Sequence, residues 1–261
     1  MVKKDVAIIT TVANFELYNI TGNKFPRGIR KYVIDGKNGM HGIHSILYIF
    51  KKLKTEPIKW LILADEDVIF YDESIVFDLI DYMQKNNITA AGVRDGGDIS
   101  HRTYNPFVFN TFFSILNFES LRSIWNEKDV LGNQYIIPHE FEDELKNLKF
   151  EYSIDSLFEP YYCFFLWLRR HDKNILFLDS EMLDDEISNA VFFNDAKILV
   201  HSWYARSYGV NKNHTDRINA LVSPSDVQKN TTFEYVLLKD KTFKSRQIFA
   251  KYLRKIQMRL K

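Results

Sequence analysis

Short β-branched runs alternate with amphipathic stretches from Val6 to Gly97, and this alternation constrains the fold more than any other feature. VAIITTV (Val6 to Val12) fits a strand buried on both faces. RKYVIDG (Arg30 to Gly36) reads as a second strand, closed by the Asp35-Gly36 turn signal. GIHSILYIFKKLK then places Ile43, Ile46, Leu47, Phe50 and Leu53 at helical spacing and ends in lysines, which suit a helix C-terminus. WLILADEDVIF (Trp60 to Phe70) predicts the third strand. SIVFDLIDYMQKN predicts a helix that Asp72 or Ser74 can cap, and ITAAGVRDGG a strand running into glycines. Strand alternating with helix predicts an α/β domain with a mostly parallel central sheet. Its ligand site is expected outside the carboxyl ends of the strands.

Apolar residues at 46% and aromatics at 15% supply a packed core, so disorder is not the default. The net charge of +1 gives no overall bias toward nucleic acid. The one cysteine, Cys163, excludes an internal disulfide and a cysteine-based zinc site. The N-terminal apolar run is too short to span a membrane and lacks a small-residue cleavage site. These features set the expected location as the reducing cytoplasm.

Three acids, Asp65, Glu66 and Asp67, interrupt the most apolar strand. Carboxylates repel one another and resist burial. At the point where a strand leaves the sheet they meet water. There, two acids separated by one residue can reach one hard cation such as Mg²⁺ or Mn²⁺. The plainer alternative is a solvated strand end leading into the next helix.

LILADEDVIF resembles the Asp-x-Asp motif of nucleotide-sugar glycosyltransferases of the GT-A fold, with bacterial surface-polysaccharide enzymes as the nearest type. Further segments match in the family's order. TTVANFE ends the first strand, NPFVFNTFFSILNFESLRSIW carries Asn110 and Asn117, and AKILVHSWYARSYG carries a late histidine. Phe113 or Ser114 stands where retaining members often have glycine. The resemblance implies an αβα sandwich, Mn²⁺ or Mg²⁺, a UDP-linked donor, and a saccharide or lipid-linked acceptor. It implies Asp67 and His201 as metal ligands and Asp65 on the metal or the ribose. It places Thr11, Ala13, Asn14 and Asp35 near the nucleoside. Arg206, Tyr208 and Gly209 would form a phosphate-facing loop, with Arg206 or Lys212 adding positive potential. Asp155 and Glu159, ahead of an expected helix beginning near Pro160, are the candidate catalytic carboxylates. Tyr161 and Tyr162 occupy the neighbourhood of the family's usual acidic pair, which leaves inverting and retaining outcomes both open.

VRDGGDISHRTYNPF reads as a loop close to the sugar, with Arg94, Asp95 and Asp98 available to hydroxyls. Trp125, Trp203 and Tyr204 are candidates for an acceptor surface. From Lys239 onward the chain holds nine Lys or Arg and one acid. Ile248, Phe249, Tyr252, Leu253, Ile256 and Leu260 share one helical face there. The expected organisation is a catalytic domain over 1–238 and a basic amphipathic appendage over 239–261. That appendage either lies on an anionic membrane surface or docks on protein. Two other functions compete: a haloacid-dehalogenase-like phosphatase, with Asp184-Asp185 as its late acid pair, and a non-catalytic binding module on the same fold.

Overall fold

The computed structural model of the protein describes residues 3–141, 145, 148–222 and 233–259. The chain opens with β1 (Val6–Val12), α1 (Phe15–Thr21), β2 (Arg30–Asp35), α2 (Ile43–Lys52), β3 (Trp60–Ala64), β4 (Val68–Phe70) and α3 (Glu73–Lys85). It continues through β5 (Ala90–Arg94), β6 (Gly96–Ile99), β7 (Arg102–Thr103), β8 (Phe109–Asn117), α4 (Phe118–Ile124), α5 (Glu127–Gly132) and α6 (Tyr162–Arg170). Then follow β9 (Ile175–Phe177), β10 (Asp179–Met182), β11 (Asn189–Phe193), β12 (Ala196–His201), α7 (Lys212–Leu221), β13 (Val236–Leu238) and α8 (Phe243–Arg259).

The main sheet has the order β13-β2-β1-β3-β8-β5-β9. Strands β13, β2, β1 and β3 are parallel, as are β5 and β9, while β8 runs against both its neighbours. The expected mostly parallel α/β sheet is therefore the observed one. Successive strand residues point to opposite faces. Ala7, Ile9, Leu61 and Leu63 accordingly join one apolar cluster with α2, α4 and α6. Val6, Ile8, Trp60 and Ile62 join the other with α3, β4 and β12. Both faces are covered, which is why these strands read as unbroken apolar runs.

Helix starts follow from side-chain caps. Asn14, Asp72, Asn117, Asn126 and Asn211 each accept a backbone N–H two or three residues ahead. The helix expected near Pro160 is α6, and every residue in it from Tyr162 to Arg169 is buried. Among the described residues, no helix is long and apolar enough to cross a membrane.

The run Trp60 to Phe70 is not one strand. Strand β3 ends at Ala64, and β4 belongs to a second, antiparallel sheet of order β10-β11-β12-β4. An unbroken strand would aim at least one of the three carboxylates into each apolar cluster. The chain instead turns, with Val68 N–H donating to the Asp65 carbonyl at 3.2 Å, and resumes in a different sheet.

Candidate functional site

The acid turn is fixed from both sides. Asp65 N–H donates to the Phe112 carbonyl of β8 at 2.8 Å. The middle acid, Glu66, is buried, and its Oε1 accepts the N–H groups of Ala13 (3.0 Å) and Asn14 (3.1 Å). Thr21 Oγ1 donates to the Glu66 carbonyl at 2.7 Å. Burial and then the Asp67 charge push the Glu66 carboxyl up to about 7, against those two N–H donors. Glu66 thus ties the β1–α1 corner to the turn.

Pairing between β12 and β4 brings His201 opposite Val68, one residue beyond Asp67. Ser202 N–H donates to the Asp67 carbonyl at 3.0 Å. His201 Nε2 lies 3.2 Å from Asp67 Oδ1, both side chains being almost wholly buried. The imidazole stacks on Phe112 at 4.1 Å between ring centres. One ligand atom from each of Asp65, Asp67 and His201 falls within 4.8 Å of the others. Burial, then the charges of Asp67 and Glu66, raise the Asp65 carboxyl well above its usual range, with Arg206 working the other way.

These donors fit a hard divalent cation. Two carboxylates and one imidazole suit Mg²⁺ or Mn²⁺, whose bonds of about 2.1 Å place ligands roughly 3 to 4 Å apart. The observation that decides the fit is the donor geometry: Asp65, Asp67 and His201 each bring one oxygen or nitrogen ligand atom within 4.8 Å of the others.

The cluster opens into a cleft of about 570 Å³ at the carboxyl ends of β1 and β3. Thr11, Ala13, His41, Arg102, Asn110, Glu159, Tyr161, Trp203 and Arg206 line it with the acids. A second lobe of about 690 Å³ shares Ala13, Gly36, His41 and Arg206 and adds Asn14, Lys37 and Tyr208. Both volumes lie in the range of small-molecule sites, about 300 to 1,000 Å³. Trp203 and Tyr204 are consecutive left-handed residues (φ of 61° each). Such backbone is strained for bulky side chains and collects at functional sites. Here it sets the Trp203 ring 4.3 Å from the His201 ring.

At the cleft wall, one buried carboxylate organises four side chains. Asp95 accepts Arg102 Nε and Nη2 at 2.7 Å each, Asn110 Nδ2 at 2.6 Å, Tyr161 OH at 3.3 Å, and a short bond from Tyr162 OH. Burial opposes the Arg102 charge, yet Asp95 holds that guanidinium well above its usual value. Burial and then Asp95 likewise raise both tyrosines. Arg102 also reaches Glu159 Oε1 at 3.4 Å and lies 6.0 Å from the Trp203 ring. Through Trp203 this group adjoins His201.

The sequence-derived candidates separate accordingly. Asp65, Asp67, His201, Thr11, Ala13, Glu159 and Arg206 share the cleft. Asn14 faces the second lobe, although its side chain caps α1 and donates to the carbonyls of Ala205 and Tyr208 at 2.9 Å. Asp155 does not belong with them: it lines a small separate cavity beside Ile136, His139 and Phe141. Asp35 lines neither lobe. Lys239 Nζ holds it at 2.7 Å, and that bond chiefly lowers its carboxyl. Lys212 is exposed and paired with Asp216 on α7. Arg94 and Asp95 are internal rather than presented to a sugar; Arg94 donates to the Pro106 carbonyl at 2.5 Å. Asp185 is engaged by Ser188 and Arg217 and lies outside the cleft lining. Leu260 falls outside the described residues.

Sequence reasoning missed His41, Arg102 and Tyr161 as cleft residues. For His41 the available signal was its place just after the Asp35-Gly36 turn, at a strand's carboxyl end. Burial, then Arg206, lowers its imidazole.

No known protein family and no curated protein matches the sequence. Solved structures give partial overlaps. A mannosyltransferase from Pyrobaculum calidifontis, in complex with GDP-Man and Mn²⁺, overlaps 48% of this chain and 47% of its own at 11% identity, with a TM-score of 0.36. This chain therefore spans about half the length of that protein. Apo mouse xyloside xylosyltransferase 1 overlaps 68% and 86% at 10% identity and a TM-score of 0.39. A glycosyltransferase involved in glycosylation of the major capsid of PBCV-1 overlaps 52% and 70% at 15% identity and a TM-score of 0.34. These neighbours are glycosyltransferases, but the overlaps are too loose to assign chemistry, and the site stands on its own geometry.

Proposed function

We propose that the chain is a metal-dependent glycosyltransferase of GT-A-like fold. It would move a hexose from a nucleotide-diphosphate donor, UDP-linked, to a saccharide or glycolipid acceptor in surface-polysaccharide assembly. The observation that carries this reading is the meeting of Asp65, Asp67 and His201 at the carboxyl end of β3, inside a cleft large enough for a nucleotide sugar. The expected setting is the cytoplasmic face of a membrane.

Asp65, Asp67 and His201 would hold Mn²⁺ or Mg²⁺. When bound, the ion supplies Lewis-acid stabilisation of the negative charge that gathers on a departing diphosphate. The chain's own residues do the rest. Glu66 fixes the acid turn against the first strand's corner. Arg206, between the two lobes, adds a fixed positive charge on the path of the phosphates. Sugar transfer proceeds with oxocarbenium character, so an acceptor hydroxyl needs a nearby carboxylate to take its proton. Glu159 is the carboxylate in the cleft for that role, oriented by Arg102. Trp203 offers an apolar face beside them for a sugar ring.

Thermal denaturation tests the reading. UDP with Mn²⁺ should raise the melting point of the parent, because a ligand that binds only the native state stabilises it. Asp67→Ala should lose that shift and the metal-dependent release of UDP from UDP-sugars while keeping its own cooperative unfolding. A parent that shows no shift with any nucleotide sugar, or an Asp67→Ala variant with full activity, refutes it. His201→Ala should weaken the Mn²⁺ titration, and an unchanged titration removes His201 from the ligand set.

A further inference from the structure

Helix α8 carries an apolar face that nothing among the described residues covers. Among its described side chains only Phe243, in the first turn, is buried, packed edge-on against His44 with ring centres 5.3 Å apart. Beyond it Ile248, Phe249, Tyr252, Leu253 and Ile256 are 44–67% exposed. At about 100° per residue these five fill one arc of roughly 140°. Five large apolar side chains standing together in water mark an interaction surface.

Charge identifies the partner. Residues 243–259 include six Lys or Arg and no acid. Lys244, Lys251 and Lys255 are exposed beside the apolar arc. A second copy laid face to face would bring these like charges together, and the helix has no acid to pair them. A surface of negative headgroups over an apolar interior satisfies both halves of the helix.

The root of the helix gives the contact a direction. Strand β13 runs parallel to β2, so the chain leaves it at the same sheet end as Asp35, where the cleft opens. Lys239 binds Asp35 there, and Asn38 Nδ2 donates to the Asp240 carbonyl at 2.9 Å. Asp240 in turn accepts Arg246 at 2.6 Å, which clamps the first turns of α8 to this corner. Phe243 packs next to the 41–46 segment that lines the cleft.

We propose that α8 lies on an anionic lipid surface, its apolar arc at the headgroup–acyl boundary and its lysines among the phosphates, and that its root holds the cleft mouth beside that surface. This orientation deepens the transferase reading by bringing a lipid-borne acceptor to the cleft; the lipid contact itself does not depend on that reading.

Vesicle sedimentation of the full chain tests it, with phosphatidylcholine vesicles against vesicles of equal parts phosphatidylcholine and phosphatidylglycerol. Binding to the anionic vesicles should be on the order of tenfold tighter or more, and should weaken as salt screens the charges. The double variant Phe249→Asp, Tyr252→Asp changes only exposed side chains and should lose the binding, while its melting-point shift with Mn²⁺ and UDP stays at the parent value. Equal binding to both vesicle types, or binding to neither, overturns the proposal. So does a concentration-dependent dimer of the full chain that the double variant abolishes, since the occupant is then a second copy. If anionic vesicles bind but no nucleotide sugar shifts the melting point, the transferase reading falls and the lipid contact stands.

Discussion

Asp95→Asn isolates the buried group that shapes the cleft wall. The substitution keeps the side chain's shape but removes its charge and replaces one acceptor oxygen with an NH₂ that faces donors. Asp95 is fully buried, and the Arg102 side chain is 14% exposed. Losing the carboxylate therefore leaves a guanidinium without its bidentate partner, where breaking a buried pair costs about 3–5 kcal/mol. Glu159, at 3.4 Å and 28% exposed, recovers part of that interaction, which leaves roughly 2–4 kcal/mol. For a chain of this length each kcal/mol is worth about 2–4 °C, so the melting point should fall by roughly 5–15 °C. Thermal and guanidinium unfolding followed by circular dichroism measure it. Arg102→Met in the same chain should restore much of the loss, because the stranded charge goes with it. A single variant within about 0.5 kcal/mol of the parent, or a double variant no more stable than Asp95→Asn, would sink the claim that this carboxylate anchors Arg102.

Other substitutions probe the remaining structure. Burial pushes the Asp98 carboxyl up to about 6, opposed by Arg94 and Lys149, against about 4 in the unfolded chain. The folded state then keeps a proton that the unfolded state gives up. Its stabilising contribution is full below pH ~4 and is lost as pH rises through ~6. Asp98→Asn should accordingly gain roughly 1–2 kcal/mol over the parent at pH 7 after allowance for partial exposure, with little gain at pH 4; equal gains at both pH values contradict the assignment. Gly96→Ala would place a Cβ 2.0 Å from the Tyr104 carbonyl oxygen. It should cost at least about 2 kcal/mol in chemical denaturation, and a neutral effect would mean the β6–β7 hairpin is not closed as described. Glu159→Gln should slow UDP release in the presence of acceptor by about 10²–10⁴-fold, whereas Asp155→Asn should leave it within about twofold. The reverse pattern would exchange their roles.

What could be read from the sequence was what has a local cause. The strands β1, β2 and β5 and the helices α2 and α3 follow from periodicity, and the Asp72 cap from its place before an apolar run. The break after Ala64 was harder. Val68, Ile69 and Phe70 look like more of the same strand, and only their pairing with β12 shows that they start another sheet. The Asp95 group gave no signal at all. Its donors come from positions 102, 110, 161 and 162, and nothing in the spacing of Arg, Asn and two Tyr marks them as neighbours. Asp35 misled for the opposite reason: its place at a strand end was right, but the partner that occupies it, Lys239, arrives more than two hundred residues later.

The acid triplet joins the two kinds of information. The acids sit in the turn closed by the Asp65–Val68 hydrogen bond, beyond the end of β3, and that turn sends the middle carboxylate away from the outer two. Glu66 accordingly turns to the Ala13 and Asn14 N–H groups, while Asp65 and Asp67 converge with His201. The acid-x-acid spacing was visible in three letters of sequence. Its purpose needed the fold, because the anchor for the middle acid is the β1–α1 corner fifty residues earlier. A variant that keeps all three charges but moves one of them, by exchanging Ala64 and Asp65, should therefore lose the metal-dependent response as fully as Asp67→Ala does. Retained Mn²⁺ stabilisation in that exchange would mean that charge alone, and not its placement by the turn, makes the site.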